Sequence, residues 1–292
     1  MAHPLHEAAH EIVSVALVIS WTLALTAPHK NQCRVAWGEG VILILGAVPW
    51  EMSAVLDEVG EQETGILHNI PYTRGKLYGM PVIVALTGVS KTNTGMVTGA
   101  LITAFNPTHV VFSGTGARVK PEIKAGYVFI IESTTFHDTG NLTEHGMEIG
   151  PVIGPTPHVR REARFEPDPA LFDLAKQVAA TYVPSEPIRV DGLTYNTVVS
   201  PGTIVTGDLF SVNQWKYEEI HSKFRTDLFA METAALGQVC SFMEIPWIAF
   251  RGGSDLMQAG DATDDYKKYG PIAARQAALF TLSFLKALSE TP

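Results

Sequence analysis

Cysteine and clustered positive charge are scarce in this chain of 292 residues. It contains two cysteines, Cys33 and Cys240, which lie far apart in the sequence. This spacing allows one long-range disulfide but favours two separate thiols. No run of Lys or Arg is longer than a pair, and the formal net charge is −9. The chain therefore lacks the basic footprint of a nucleic-acid-binding protein.

Charged residues are also few, at 17%, whereas hydrophobic residues reach 46%. This balance excludes disorder as the general state and supplies enough apolar side chains for a sizeable core. The length suits one large α/β domain or two small ones.

The N-terminus lacks the positive charge of a secretory signal, because the first basic residue is Lys30. Residues 12–27 are nevertheless apolar and uncharged, a length that is short for a membrane span and close to that of a signal core. Pro28 follows the only small-residue exit, at Ala27, where cleavage is unfavourable. We predict a cytoplasmic protein with an N-terminal extension, residues 1–40, of unassigned role. Export is the alternative, and membrane insertion is not expected.

The extension also contains a zinc-like pattern. His6 and His10 flank Glu7 in the order H-E-x-x-H, in which two His one helical turn apart bind a metal and Glu activates water. No strand precedes the pattern and no third ligand lies in register, so we interpret it as a chance match. We predict no metal site, and a zinc enzyme is the alternative from another class.

From residue 41 onward, buried strands alternate with helices. The apolar runs 41–45 and 81–86 are typical of strands buried on both faces. The remaining pattern predicts strands at 109–112, 127–132, 198–206 and 246–250, and helices at 50–59, 90–105, 169–182, 231–243 and 271–288. Residues 136–166 lack periodicity and indicate a long functional loop. The prediction is a single α/β domain, 41–292, with a mixed sheet flanked by helices.

Polar side chains follow four of the predicted strands. They are Glu51, Thr115, the segment 208–210, and the pair Ser254 and Asp255. Each has an ordinary alternative, as a solvated first-turn carboxylate, a turn or core residue, or a helix cap. Ligands collect where strands of such sheets end. Two carboxylates, a hydroxyl and an aromatic ring at converging strand ends are what hydrolysis of an N-glycosidic bond requires.

At these residues the sequence resembles the 5′-methylthioadenosine/S-adenosylhomocysteine nucleosidases of the nucleoside phosphorylase superfamily. The resemblance runs from about residue 41 to 288 and is carried by ordered segments: ILGAVPWEM, FSGTGA with the following IKAG, TTFHDT, VTGDLF, AMETAALGQVC and RGGSDL. One such segment is weak evidence, whereas six in order at family spacing are strong. The resemblance implies a three-layer α/β/α fold of the nucleoside phosphorylase type and a purine nucleoside as substrate.

The resemblance also implies roles for individual residues. Glu51 would activate water, Asp255 would protonate the purine, and Glu232 would hold the ribose hydroxyls. The other implied binding residues are Met231, Phe210, Ser211, Thr115, Ser254, Val89 and Phe136. No cofactor is implied. The resemblance does imply a homodimer, in which the segment of Phe136 and His137 closes the 5′ pocket of the partner.

The nucleophile decides between a hydrolase and a phosphorylase. Residues 46–58 contain no Lys or Arg, and Phe112 stands where the resemblance would place a phosphate-binding Arg. A carboxylate at Glu51 repels phosphate and suits water. The sequence favours a hydrolase, with a purine nucleoside phosphorylase as the alternative. A non-catalytic nucleoside-binding or storage protein of the same fold is the alternative from another class.

Several positions depart from the family pattern. Arg118 follows the glycine-rich segment, where we expect a solvated loop residue, with anion binding as the alternative. Ala230 replaces an acidic residue before the Met-Glu pair, and Pro49 and Trp50 replace two acidic residues beside Glu51. The substrate's 5′ substituent is therefore less well defined by the sequence than the reaction type.

Overall fold

The computed structural model of the chain describes residues 40–144, 146–154, 160–161, 163–210, 214–257 and 262–291. All of them belong to one unit of the chain, Arg34–Pro292. The extension, with its apolar segment, its His6–His10 pattern and Cys33, lies outside the described residues, as does Ser211. Cys240 is a buried free thiol.

The elements follow one another in an α/β order. The strands are β1 (Ile42–Gly46), β2 (Gly60–Leu67), β3 (Ile70–Leu77), β4 (Met80–Leu86), β5 (His109–Arg118), β6 (Val128–Phe136), β7 (Gly140–Thr143), β8 (Gly146–Ile149), β9 (Val152–Ile153), β10 (Arg160–Arg161), β11 (Arg164–Phe165), β12 (Ile188–Val190), β13 (Leu193–Tyr195), β14 (Val199–Thr206), β15 (Leu228–Ala230) and β16 (Trp247–Leu256). The helices are α1 (Pro49–Glu58), α2 (Lys91–Phe105), α3 (Pro169–Thr181), α4 (Gln214–Phe224), α5 (Thr233–Met243) and α6 (Ala262–Ser289).

A ten-stranded mixed sheet organises the described residues. Its strand order is β11-β6-β14-β15-β5-β1-β4-β3-β2, and β16 pairs with both β5 and β6. The central strands β1, β4 and β5 run parallel, and all five residues of β1 are buried. This explains why their sequences are continuous apolar runs rather than alternating ones.

Helices cover both faces of the sheet. One core cluster packs the sheet against α2 and α5, through residues such as Leu101 and Leu236. The other packs it against α1, α3 and α6, through residues such as Val55, Leu171 and Phe280. The predicted three-layer α/β fold is therefore confirmed.

Part of the sheet closes on itself. β5 pairs with β15 and β16, β16 pairs with β6, β6 with β14, and β14 with β15, so five strands form a ring. This closure explains why β5 and β16 are longer than the sequence predicts: each continues beyond its apolar half to pair with further strands of the ring. Thr115 and Asp255 consequently lie within strands, rather than in the turn and the helix start that the sequence had suggested.

Some elements escape prediction from the sequence. The β2–β3 and β3–β4 hairpins turn at His68-Asn69 and Tyr78-Gly79, where both residues of each pair have positive φ, as a two-residue type I′ turn requires. His-Asn and Tyr-Gly are unusual in such turns. The Asp191-Gly192 turn between β12 and β13 has the expected composition and was nevertheless not singled out.

Two predictions of secondary structure are wrong. The final helix starts at Ala262 rather than at residue 271, and Pro271 lies inside it. Residues 136–166 are not a structureless loop, because the short strands β7 to β11 lie within them. No helix among the described residues is long and apolar enough to cross a membrane.

Candidate active site

A cleft opens at the carboxyl ends of β1 and β15 and along the second halves of β5 and β16. The empty space in and before it is about 600 Å³, part of which is open to solvent. Its walls are formed by Ala47, Val48, Trp50, Glu51, Val89, Thr115, Gly116, Ala117, Leu209, Phe210, Phe229, Ala230, Met231, Glu232, Ser254, Asp255 and Tyr266. The three titratable carboxyls of this set are all buried.

Glu51 is fixed at the floor of the cleft by four hydrogen bonds. Its Oε2 accepts from the backbone N–H of Ala47 at 2.7 Å and of Val48 at 3.2 Å. Its Oε1 accepts from the backbone N–H of Thr115 at 2.8 Å and from the Thr115 hydroxyl at 2.9 Å. Glu51 lies in the first turn of α1, and Val48, whose N–H it accepts, is the N-cap residue of that helix. Glu51 is therefore both a carboxylate of the first helical turn and a residue of the cleft.

Arg251 lies beside two of these carboxylates, Glu51 and Glu232. It is completely buried, donates from Nη2 to Glu232 Oε2 at 3.1 Å and from Nη1 to the Thr115 carbonyl at 2.8 Å. Its guanidinium also lies over the Phe112 ring, at 4.3 Å from the centroid. Burial raises the pKa of Glu51, Arg251 lowers it, and Glu232 raises it again, with a net upward shift.

Glu232 is placed by the junction between β15 and α5. It is the residue before α5, yet its side chain does not cap that helix. The Thr206 hydroxyl accepts the Ala234 N–H at 3.0 Å instead, so the Glu232 carboxylate is available to face Arg251 and the cleft. Oε2 takes the Arg251 bond and also accepts the Met231 N–H at 3.3 Å.

Asp255 faces the cleft from the end of β16. Its Oδ1 accepts a hydrogen bond from the Ser254 hydroxyl at 2.9 Å. It is only 3% exposed, and this burial raises the pKa of its carboxyl despite the Ser254 bond and the Arg118 charge. The helix-cap alternative for Asp255 is wrong, since the residue lies in a strand.

Arg118 is hydrogen-bonded to the backbone at this end of β16. Its Nε donates to the Ser254 carbonyl at 2.7 Å, and its Nη1 donates to the Ile123 carbonyl at 2.9 Å. The side chain is therefore partly buried in the structure. The expectation of a solvated loop residue is wrong, because the ring of strands brings Arg118 against β16.

The mouth of the cleft is apolar and exposed. Trp50 is 41%, Val89 42%, Leu209 41% and Phe210 45% exposed. The ring of Tyr266 lies 6.0 Å from that of Trp50 and 5.6 Å from that of Phe210, and the Tyr266 hydroxyl lies 3.4 Å from Thr115 Oγ1. Burial raises the pKa of Tyr266 to about 12, so it stays a neutral hydroxyl.

The structure brings most of the predicted site residues together. Those that line the cleft are Glu51, Val89, Thr115, Phe210, Met231, Glu232, Ser254 and Asp255. Phe136 does not line this cleft: it is 3% exposed and packs against Phe165 at 5.9 Å between ring centroids. It lines a different groove, together with Lys91 and Val152. Its neighbour His137 is also buried, stacked on Phe229.

Two residues of the site were not assigned a role from the sequence. Arg251 opens the R-x-x-S-D segment, and a buried charge in an apolar strand was the signal that could have identified it. Tyr266 lies four residues after the start of α6 at Ala262, in a segment without a strong pattern. Gly270, one turn later, leaves room for it, because a Cβ there would meet the Tyr266 ring at 3.1 Å.

No group of three or more potential metal ligands occurs within the described residues. The absence of a metal site and of a cofactor remains a prediction, since the His6–His10 pattern lies outside them.

The fold and the cleft together define a three-layer α/β enzyme. Buried carboxylates of its cleft form the site for a small molecule. The family model of the phosphorylase superfamily matches residues 41–286. The chain belongs to the phosphorylase superfamily, as the resemblance predicted.

Known relatives narrow this description. A 5′-methylthioadenosine/S-adenosylhomocysteine nucleosidase from Geobacillus sp. is 29% identical over 251 residues, which cover 85% of this chain and 99% of the relative. The structure of a nucleosidase of the same name from Neisseria meningitidis, in complex with methylthio-immucillin-A, is similar with a TM-score of 0.71 and 26% identity. It covers 84% of this chain and 98% of that one.

A second solved structure, the futalosine hydrolase of Helicobacter pylori, has a TM-score of 0.72 and 24% identity, and covers 84% of this chain and 97% of that one. It shares the fold. The enzyme class of the Geobacillus and Neisseria relatives, N-glycosyl hydrolase, agrees with the class predicted from the sequence.

Proposed function

We propose that the protein hydrolyses the N-glycosidic bond of a 5′-substituted adenosine and releases adenine. The observation that carries the proposal is the pairing of two buried carboxyls, Glu51 and Asp255, in one cleft with a raised pKa at each. The names of the relatives, 5′-methylthioadenosine/S-adenosylhomocysteine nucleosidases, support this substrate class.

Asp255 acts as the acid. As the C1′–N9 bond breaks, its electron pair passes into the purine, and a proton from Asp255 reaches N7 to neutralise the leaving group. A leaving-group acid must be protonated at the start of the reaction. Burial supplies this condition, because the raised pKa keeps Asp255 protonated to a higher pH than an exposed Asp.

Glu51 acts as the base. It takes a proton from a water molecule whose oxygen attacks C1′, and its negative charge stabilises the positive charge that develops on the ribose. Thr115, which donates to Glu51 Oε1, keeps the carboxylate in one orientation. Glu232 binds the ribose hydroxyls through Oε1, while Arg251 holds its other oxygen. Each such charge-assisted bond contributes about 1.5–3 kcal/mol.

Water is favoured over phosphate as the nucleophile. The residues that line the cleft include no Lys or Arg within the described part of the chain. Arg251, whose charge acts on Glu51, is fully buried and already paired with Glu232. A phosphate dianion beneath C1′ would meet Glu51 and Glu232 without a free cation to balance it.

A direct assay tests the proposal. The purified full chain, incubated with 5′-methylthioadenosine in phosphate-free buffer, should release adenine and 5′-methylthioribose. Added phosphate should leave the rate and the products unchanged. Turnover that requires phosphate and yields a ribose 1-phosphate would establish the phosphorylase alternative instead. Tight binding of the nucleoside without release of adenine would establish the non-catalytic alternative.

We further propose that the protein is a cytoplasmic homodimer without a metal or cofactor. Support for a dimer comes from α2 and β9, which line one groove of the surface and on which Met96 is 59% and Ile153 72% exposed. Exposed apolar residues close together are typical of protein interfaces. Sedimentation should give twice the chain mass of 31.7 kDa, and an active monomer would contradict the dimer. The lack of a basic residue before Lys30 supports the cytoplasmic location.

A further inference from the structure

We propose that Arg118 is a positioning residue for the leaving-group acid: its guanidinium fixes the bulge of β16 that carries Asp255, and its charge lowers the highest pH at which the enzyme works. The inference rests on the proposed function, in which Asp255 protonates the purine, and it adds a residue to that reaction. Arg118 is not among the residues that line the cleft. It therefore acts through β16 and not on the substrate itself.

The first step is the irregular strand end on which the acid lies. The pairing of β16 with β5 shifts register between Gly253 and Leu256, so that Ser254 and Asp255 form a β-bulge. Consecutive side chains of a regular strand point to opposite faces, yet both of these side chains line the cleft. The bulge therefore turns the acid toward the cleft together with the serine that donates to it.

The second step is the contact between Arg118 and this bulge. Arg118 Nε donates to the Ser254 carbonyl at 2.7 Å, and its Nη1 donates to the Ile123 carbonyl at 2.9 Å. The guanidinium thus joins the residue next to Asp255 to the segment after β5. Gly253 leaves room for this crossing, because a Cβ there would meet Arg118 Cγ at 2.9 Å. A bulge interrupts the ladder of strand hydrogen bonds, so its shape depends on such contacts.

The third step is the support of the guanidinium from α6. Arg118 lies over the ring of Tyr269, at 5.4 Å from the centroid. The Tyr269 hydroxyl in turn donates to Asp191 Oδ2 at 2.7 Å. Arg118 is therefore held by β16, by the segment after β5 and by α6, and a side chain held in this way can fix the position of its neighbours.

The fourth step is the charge that Arg118 places within one residue of the acid. Burial raises the pKa of Asp255, the Ser254 hydroxyl and the Arg118 charge lower it, and the charge of Asp265 on α6 raises it again. Without the guanidinium, the Asp255 carboxyl should stay protonated to a higher pH. The other titratable groups that line the same cleft are Glu51, Glu232 and Tyr266.

Removal of the guanidinium should have two separable effects. In Arg118→Met, the kcat for 5′-methylthioadenosine should fall by about 10–100-fold, because a small displacement of a catalytic group costs rate on this scale. KM should change by less than about threefold, since Phe210 and Glu232 are untouched. The alkaline limb of the kcat/KM profile should move to higher pH. A kcat equal to that of the wild type would overturn the positioning role, and an unmoved limb would overturn the role of the charge.

Two further variants separate the charge from the hydrogen bonds. Arg118→Lys keeps the charge without the planar fork, whereas Arg118→Gln is neutral and keeps only an amide donor. The alkaline limb should stay at its wild-type pH in the Lys variant and move to higher pH in the Gln variant. The kcat of both should lie between those of Arg118→Met and the wild type. Equal limbs in the Lys and Gln variants would overturn the role of the charge, even if Arg118→Met does not fold.

Arg275→Met is the matched control. Arg275 lies on α6 and pairs with Glu186 at the surface, so the same substitution should leave both kcat and the alkaline limb unchanged. A limb that moves as far as in Arg118→Met would mean that any lost positive charge has this effect, and the inference would be wrong. Urea denaturation of each variant shows that the folded chain is the one assayed.

Binding of adenine separates the failure of this inference from the failure of the proposed function. Protonated Asp255 donates to N7 of the base, so the affinity for adenine, measured by calorimetric titration, should fall as pH rises through the pKa of Asp255. In Arg118→Gln this fall should occur at higher pH. If it does but no nucleoside is hydrolysed, the proposed function is wrong and the action of Arg118 on Asp255 stands. If the nucleoside is hydrolysed and neither pH dependence moves, the function stands and the inference is wrong.

Discussion

The floor and the mouth of the cleft are built in opposite ways. On the floor, Glu51, Glu232 and Asp255 are buried, and each accepts a hydrogen bond from the protein itself. At the mouth, Trp50 and Phe210 are exposed over two fifths of their surface and are held by ring contacts with Tyr266.

The difference separates chemistry from affinity. Preorganised charges at the floor act on charge that appears as the bond breaks, so their removal should affect the rate. A ligand that covers the exposed apolar surface at the mouth is bound more tightly, because burial of apolar surface is favourable. Removal of an apolar side chain there should therefore weaken binding. Substitutions at the two levels should therefore give different kinetic signatures.

The largest expected effect is that of Glu51→Gln. The rate of hydrolysis should fall by about 10³–10⁴-fold because the base and the negative charge are both lost. Binding of a non-hydrolysable purine nucleoside analogue, measured by calorimetric titration, should change little. Near-normal hydrolysis in this variant would mean that the water is activated elsewhere.

The structure adds a cost to this substitution that the sequence did not suggest. Both carboxylate oxygens of Glu51 accept hydrogen bonds, so a Gln amide nitrogen would face N–H donors. We expect a loss of about 1–3 kcal/mol in the free energy of unfolding. Urea denaturation of the variant beside the wild type measures this cost and shows that the folded form is the one assayed.

Asp255→Asn should lower kcat by about 10²–10⁴-fold while leaving the fold intact. In the wild type, kcat/KM should decline as pH rises through the raised pKa of Asp255, because the acid must be protonated. It should also decline as pH falls through the raised pKa of Glu51, because the base must be ionised. The alkaline limb should disappear in the Asn variant. If the limb persists unchanged, another group is the acid.

Arg251→Met tests the support of the floor. The substitution leaves Glu232 without its ion pair and Glu51 without the cation that lowers its pKa. Removal of one partner from a buried pair costs about 3–5 kcal/mol, so the free energy of unfolding should fall by this amount. Arg74→Met, at a more exposed pair with Glu63, should cost less than 1 kcal/mol. Equal costs in urea denaturation would contradict the contrast.

The smallest effect is expected at the mouth. Phe210→Leu should raise KM by about fivefold to twentyfold and leave kcat within a factor of about three, because a stacking ring contributes about 1–3 kcal/mol to binding. Steady-state kinetics with 5′-methylthioadenosine separates the two constants. A loss in kcat alone would place Phe210 with the floor rather than with the mouth.

Sequence patterns were reliable where the environment is uniform. The strands β1 and β4 are buried on both faces, so their apolar composition alone is enough to identify them as strands. Pattern reading was poor at the β2–β3 hairpin, where unusual residues occupy a type I′ turn, and at the start of α6, where the helix runs through Pro271. The error at α6 is also why Tyr266 was missed as a wall of the cleft.

By itself the sequence determined the α/β fold and two of the floor residues, Glu51 and Asp255, because apolar runs followed by polar side chains reflect local burial and local strand ends. Glu232 and the three-layer arrangement followed from the family resemblance. Only the tertiary structure decided how these side chains are used. Closure of five strands into a ring placed Arg118 behind Asp255 and Arg251 beside Glu51 and Glu232, and it buried Phe136 away from the cleft. These contacts join residues far apart in the chain, and no local pattern in the sequence encodes which cation will meet which carboxylate.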